Sequence, residues 1–144
     1  MIQKAKQADS QAAAGLAALL WPGHRLSELE AELAELTARP DAAVFLAWEN
    51  SIPVGFAQCQ LRHDYVEGTS TSPVGYLEGI YVLETHRHRG LAKALLTACQ
   101  AWAKAAGCQE FASDCELTNT DSLDFHLKAG FSEANRIICF IKPL

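Results

Sequence analysis

An apolar run from Val74 to Leu83 passes through Arg87-His88-Arg89-Gly90-Leu91-Ala92 into a helix-patterned run from Leu91 to Ala106. This strand–turn–helix passage constrains the fold more than any other stretch. A helix that starts straight after a glycine turn leaves the N–H groups of its first turn without intrahelical partners, and the positive end of its dipole lies at the same spot. Such a place seats an anion, a phosphate or pyrophosphate above all. Gly90 permits close backbone approach, Ala92 keeps the first turn uncrowded, and Arg87 and Arg89 add fixed positive charge. For the hexapeptide alone, an ordinary strand–turn–helix with surface arginines is the simpler account.

The flanking sequence supplies the other elements. A first helix is expected from about Ser10 to Leu20, ended by Pro22-Gly23. Ser27 with Glu30 reads as a capping box for a second helix, with Leu29, Leu33 and Leu36 on one face and Pro40 as its stop. Ala43 to Trp48 and Val54 to Leu61 read as a hairpin around Glu49-Asn50-Ser51, with Pro53 at its shoulder. Arg62 to Pro73 is polar and rich in turn formers, hence a loop. After the central strand and its helix come a strand (Gln109 to Cys115), a helix (about Thr120 to Ala129) and a last strand (Phe131 to Ile141). The order α-α-β-β-β-α-β-α-β predicts a mixed α/β fold with a parallel pair at the sheet's centre, reached by a right-handed crossover, and helices on both faces. Ligands are then expected beyond the C-terminal ends of the strands.

Composition narrows the function. At 144 residues, 49% hydrophobic and 20% charged, the chain fits a single globular domain. No run is apolar enough to cross a bilayer and Met1-Ile2-Gln3-Lys4-Ala5-Lys6 leads into no signal-type core, so no membrane role and a cytoplasmic location are expected. Five cysteines (Cys59, Cys99, Cys108, Cys115, Cys139) with no Cys-x-x-Cys pair read as buried free thiols, without a disulfide framework or metal site. A net charge of −5 argues against a nucleic-acid partner and suits a cationic substrate.

Several side chains stand out against this background. Glu78 lies mid-strand between Leu77 and Ile80, where a carboxylate is costly unless it is paired or faces a cleft. Gly79 beside it marks a bulge or a close backbone approach. Asp114 ends the next strand; if the two strands are parallel neighbours, both carboxylates face the cleft, although each alone also reads as a surface acid. Trp21, His24 and Tyr65 fall on loops, where such rings stack on sugars or plug the ends of a core. Trp48 and Trp102 read as core. Glu116, Asp121 and Asp124 read as a solvated face, with Asp121 also a candidate for the start of the helix after Asn119.

The Arg-x-x-Gly-x-Ala pattern of Arg87 to Ala92 resembles the acetyl-CoA pyrophosphate loop of the Gcn5-related N-acetyltransferases, and Asn119 followed by Phe125-His126-Leu127-Lys128-Ala129-Gly130-Phe131 resembles their closing signature. Leu20 to His24, Arg62 to Val66, Ser72 to Val74, Leu77 to Ile80 and Ala112 to Asp114 are together similar to the aminoglycoside 6′-N-acetyltransferases of Gram-negative bacteria. The resemblance implies one acetyltransferase domain over residues 1–144, with a mostly antiparallel mixed sheet whose parallel central pair splays to hold acetyl-CoA. It implies that Ile80, Tyr81 and Val82 pair with the pantetheine arm, that Arg87, His88, Arg89, Gly90, Leu91 and Ala92 take the pyrophosphate, and that Asn119 touches the co-substrate. It further implies that Trp21, His24, Tyr65, Glu78, Asp114 and Asn135 line the pocket of a cationic aminoglycoside, in a homodimer built through C-terminal strands. Asn135 stands where an acidic residue is common, with Glu133 two positions earlier.

Acetyl transfer to an amine requires a neutral amine, so the site must accept a proton, directly or through water. Glu78 and Asp114 can hold a polyamine, and one of them can serve as the base. His126 stands where the family has a tyrosine acid. Either it protonates the leaving thiolate, or the thiolate (pKa about 8.5 for a simple thiol) leaves unaided and His126 merely lines the helix face. Tyr65 and Tyr81 are alternative acids. Cys115 has no activating base beside it in sequence and is not read as a nucleophile. Two other functions fit the residues: acetylation of a different polyamine or a peptide amine, and a non-catalytic acyl-CoA sensor. A sensor needs the Arg87–Ala92 turn but no carboxylate pair.

Overall fold

The computed structural model describes residues 1–144. Asn50 and Ser51 both take positive φ (49° and 62°), closing a two-residue turn between strands β2 (Ala42–Glu49) and β3 (Ile52–Arg62) as the hairpin pattern predicts. β3 pairs antiparallel with β4 (Val74–Val82), and β4 pairs in parallel with the short β5 (Phe111–Ser113). A strand absent from the sequence reading, β1 (Ile2–Lys4), adds antiparallel to β2, giving a five-stranded sheet in the order β1-β2-β3-β4-β5.

Helices cover both faces. Helix α1 (Ser10–Leu20) presents Ala13, Ala14, Leu16 and Ala17, and α2 (Leu26–Ala38) presents Leu29, Leu33 and Leu36, to one face of the sheet, where they meet Val44, Leu46 and Phe56. The alanine stripe lets α1 lie close to the strands. Helix α3 (Leu91–Ala105) buries Leu95, Leu96, Cys99 and Ala103 on the opposite face, against Val54, Ala57 and Leu77. Helix α4 (Thr120–Lys128) packs Phe125 onto this second core, with Ala129 and Phe131 just beyond the helix.

Three expectations need correction. The second helix begins one residue before Ser27, with Arg25 as its N-cap and no side-chain cap, so the Ser27/Glu30 pair lies inside the first turn instead of forming a capping box. Helix α4 does follow Asn119 as expected, with Asp121 in its first turn and the Asn119 Oδ1 accepting from the Ser122 N–H at 3.1 Å. Residues 131–144 form no strand: after the α4 C-terminus, where Gly130 takes φ 96° and the Phe131 N–H bonds to the His126 carbonyl, the chain runs on without sheet pairing. With no strand beyond β5, the parallel pair lies at the sheet's edge, not at its centre.

The feature that shapes the site lies in β4. Gln58 opposes Gly79 and Cys59 opposes Leu77, so Glu78 is an extra residue, a β-bulge. The bulge turns both Glu78 and Gly79 toward the α1/α2 face. A Cβ on Gly79 would stand 2.6 Å from Cζ2 of Trp21, so glycine is what lets the indole lie on the strand.

Candidate active site

β4 and β5 pair only from Gly75 opposite Phe111 to Leu77 opposite Ser113. Beyond that point they separate, while β4 stays bonded to β3 as far as Val82. On its β5 side β4 meets no strand beyond Leu77, so at Ile80–Val82 it presents an open edge to a V-shaped gap, although Tyr81 registers with Phe56 of β3 and the Val82 carbonyl accepts from Arg87. Such an edge can bond an extended amide-bearing arm as another strand would.

The pyrophosphate-type turn follows directly. A single helical turn (Glu84–His86) leads to His88 at φ 63° and Gly90 at φ 79°, and α3 starts at Leu91. Every backbone N–H from His88 to Lys93 lacks a hydrogen-bond partner within the protein, the first α3 bond being Ala94 N–H to Gly90 O at 3.0 Å. Leu91 and Ala92 pack onto the α3 core, which fixes the direction of these donors. The arginines serve differently from the expectation of free charges. Arg87 Nε donates to the Val82 carbonyl at 2.9 Å, and Arg89 reaches the Thr85 carbonyl at 3.3 Å and Glu49 at 3.5 Å. They brace the turn while keeping positive charge beside it. Asn119 Oδ1 is committed to its helix cap.

Side-chain alternation sends the end of β5 in two directions. Asp114 accepts a hydrogen bond from the Tyr76 hydroxyl. Burial first, and Asp114 second, push the Tyr76 phenol far above its ordinary pKa, so it stays a donor. The Arg62 guanidinium lies over the Tyr76 ring, 3.5 Å from its centroid, and continues to Glu78, which accepts from Nε at 3.0 Å and from Nη2 at 2.8 and 2.9 Å. Glu78 is thus no unpaired carboxylate, as the sequence reading allowed, but half of an ion pair whose acid is the more buried partner (18% against 38% exposed). Glu78, Gln58, Gln60, Glu32, Glu35, Leu36 and Arg39 line an open cleft of about 400 Å³ between the sheet and α2.

Trp21 packs edge-on against Phe56 at 5.9 Å and over Gly79, joining the core to the cleft's neighbourhood, whereas His24 and Tyr65 are exposed. Asn135 donates to Glu67 at 3.0 Å, and Glu133 pairs with Arg136, so neither points to the carboxylate pair. On the α3/α4 side, Ser113 Oγ lies 2.7 Å from His126 Nε2, and His126 Nδ1 lies 2.6 Å from the Ser122 carbonyl.

Arg62, Tyr76, Ser113 and the two glutamines were not singled out from sequence. Ser113 carries no such mark, but the signal of the others is the period-two polar pattern Gln58-x-Gln60-x-Arg62 opposite Tyr76-x-Glu78, a polar stripe on a strand face that otherwise belongs in a core. Among the cysteines, Cys59 and Cys99 are buried, and their mutual hydrogen bond and burial hold the Cys99 thiol far above its ordinary range. Cys115 and Cys139 are exposed, against the expectation of buried thiols. No group of three or more His, Cys, Asp or Glu side chains could hold a metal ion.

The sequence profile of the Acetyltransferase (GNAT) family matches residues 13–131. The chain is 44% identical over 144 residues to an aminoglycoside N(6')-acetyltransferase type 1 of Stenotrophomonas maltophilia, covering 99% of this chain and 93% of that one. It is 43% identical over 128 residues to the protein of the same name from Salmonella typhimurium, covering 89% and 88%. Among solved structures, AAC(6')-Iy in complex with the bisubstrate analog CoA-S-monomethyl-acetylneamine superposes with TM-score 0.96 at 39% identity, covering 100% of this chain and 98% of that one. AAC(6')-Iy in complex with CoA gives 0.97, also at 39% identity, covering 100% and 95%. An anion seat beside an open strand edge, in a fold shared with CoA-bound relatives, identifies the chain as a member of the GNAT acetyltransferase family.

Proposed function

We propose that the chain is an acetyl-CoA-dependent aminoglycoside 6′-N-acetyltransferase, with residues 1–144 acting as one catalytic domain. The observation that carries this reading is the division of the V. Its cofactor side offers the strand edge at Ile80–Val82 and the N–H groups of residues 88–93. Its other side offers Glu78 and Asp114, joined through Arg62 and Tyr76. A sensor of acyl-CoA has no use for that second side. A polyamine does, because its ammonium groups exchange water for fixed carboxylates. Trp21, His24, Tyr65 and Asn135 border the acceptor as the resemblance implies. Attack is direct: the amine nitrogen bonds to the thioester carbon and CoA leaves as its thiol, with no covalent enzyme adduct. Acetyl-CoA is a metabolite of the cytoplasm, which sets the location.

The test compares acetyl-CoA turnover with a kanamycin-class acceptor, spermidine and a lysine peptide, using the parent protein and Asp114→Asn. The aminoglycoside should be preferred. Asp114→Asn keeps shape and removes charge, so acceptor KM should rise roughly tenfold at low salt and less at high salt, with acetyl-CoA KM unchanged. A preference for the peptide would overturn the acceptor assignment, and equal weakening of both substrates would make Asp114 structural.

The homodimer expected from the resemblance is supported by the chain's last segment. Ile138, Phe140 and Ile141 are 80%, 90% and 96% exposed and outside the sheet, an apolar segment that a second copy can cover. Light scattering should return twice the chain mass, and deletion of residues 137–144 should return one; a monomer at micromolar concentration would remove the assignment.

A further inference from the structure

Building on the acetyl-transfer reading, we propose that Ser113 and His126 form a proton shuttle that carries the proton shed by the acceptor nitrogen to the departing sulfur. Ser113 is the last residue of β5 to pair with β4, so it stands at the apex where the V opens. Its neighbour Asp114 turns to Tyr76 on the acceptor side, while Ser113 turns to His126 of α4. The serine hydroxyl therefore lies at the junction of the two halves of the site.

The hydrogen bonds assign the imidazole protons. The Ser122 carbonyl can only accept, so at 2.6 Å His126 Nδ1 carries the hydrogen. In the neutral ring Nε2 is then a bare acceptor, and the Ser113 hydroxyl 2.7 Å away donates to it. Phe125 and Phe131 flank the ring at centroid distances of 5.7 and 5.1 Å and hold this orientation. A serine donating to a locked imidazole keeps its own lone pairs free to accept a proton from elsewhere.

The transfer balances. As the amine attacks, the C–N bond forms and nitrogen carries a surplus proton. That proton passes to Ser113 Oγ while the Ser113 proton passes to His126 Nε2, giving an imidazolium with its Nδ1–H still on the Ser122 carbonyl. The C–S bond breaks with its electron pair on sulfur. Ser113 then donates a proton to sulfur and regains one from Nε2, restoring the neutral ring. Ser113 is the group at the reacting atoms, and His126 acts through it.

Two measurements test this. In the substrate-free protein, ¹⁵N NMR should show His126 with a protonated Nδ1 and an unprotonated Nε2 at neutral pH, and Ser113→Ala should move the Nε2 signal. In steady-state kinetics, Ser113→Ala should lower kcat roughly 10- to 100-fold with both KM values little changed, since a thiolate is already a fair leaving group. Ser113→Thr should recover most of the loss. His126→Phe should cost the same, and the double variant no more, because the two residues act as one unit. An Nε2–H tautomer overturns the shuttle even if Ser113→Ala fails to fold. So does an unchanged kcat in a folded Ser113→Ala, or losses that add. An inactive parent protein overturns the acetyl-transfer reading and the shuttle with it, whereas an active parent with an indifferent Ser113→Ala overturns the shuttle alone.

Discussion

Glu78→Gln should lower kcat/KM for a polycationic acceptor by roughly two to three powers of ten while acetyl-CoA binding stays intact. The loss exceeds that of one carboxylate because Glu78 also neutralises Arg62. The guanidinium donates three hydrogen bonds to Glu78 and has the Tyr76 ring beneath it, so it stays in place when the acid becomes an amide. The substitution thus turns a neutral pair into a net positive charge in the cleft that must receive ammonium groups. At a few ångströms and intermediate dielectric, such a charge is worth several kcal/mol before screening. Arg62→Gln added to Glu78→Gln should restore part of the affinity. If the double variant is as poor as the single one, the pair does not act as an electrostatic unit. The pH–rate profile separates tether from base. A Glu78 that accepts the ammonium proton takes the acidic limb of kcat/KM away with it. A Glu78 that only holds the acceptor leaves that limb in place, and its clamp by Arg62 favours this outcome.

The course of the chain from Ser10 to Ser113 is written in local patterns. Apolar repeats, the Asn50-Ser51 turn and the Gly90 junction each decide their own element through backbone sterics and burial, so α1, the hairpin, β4 and α3 fall close to their expected positions. What was illegible depends on partners distant in sequence. Ile2–Lys4 is a strand only because β2 offers it an edge. Phe131 to Ile141 has a strand's composition but no neighbour within the chain to pair with, so pattern alone misassigned it. The start of α2 shows the limit of motif spacing: Ser27 and Glu30 are correctly spaced for a cap, yet the helix already includes Ser27.

The site divides in the same way. Glu78 and Gly79 are conspicuous in sequence because a carboxylate or a glycine inside an apolar strand needs a reason, and Asp114 stands out only as the acid ending the neighbouring strand. Their reasons, Arg62, the Trp21 ring and Tyr76, lie 16, 58 and 38 positions away and emerge only from strand register and the bulge. Asn135 is tied to the acceptor by the resemblance alone, and the contact its amide makes within the chain is with Glu67. His126 was legible as an oddity in place of a tyrosine. What it does with a proton depends on its Ser113 partner and its fixed tautomer, which only the fold brings together.

Gly90→Val should raise the KM for acetyl-CoA on the order of 100-fold with kcat and acceptor KM far less affected. Two separate costs combine. Gly90 sits at φ 79°, where a β-branched residue is strained, so the turn relaxes toward negative φ and swings the N–H groups of residues 88–93 off their common focus. A side chain at this position also enters the space the phosphates must occupy. Within the protein itself a Cβ on Gly90 meets nothing within 4 Å, so the substitution creates no clash with the core and the fold should survive. That open space distinguishes Gly90 from Gly79, where a new Cβ strikes Trp21 at once. Gly90→Ala should fall between glycine and valine, since it brings the strain with little added bulk. Isothermal titration of CoA against the three proteins, with melting curves to verify folding, reads the effect directly. Equal CoA affinity for folded Gly90→Val and the parent would mean that the phosphates bind elsewhere, and the turn from Arg87 to Ala92 would lose its role as the anion seat.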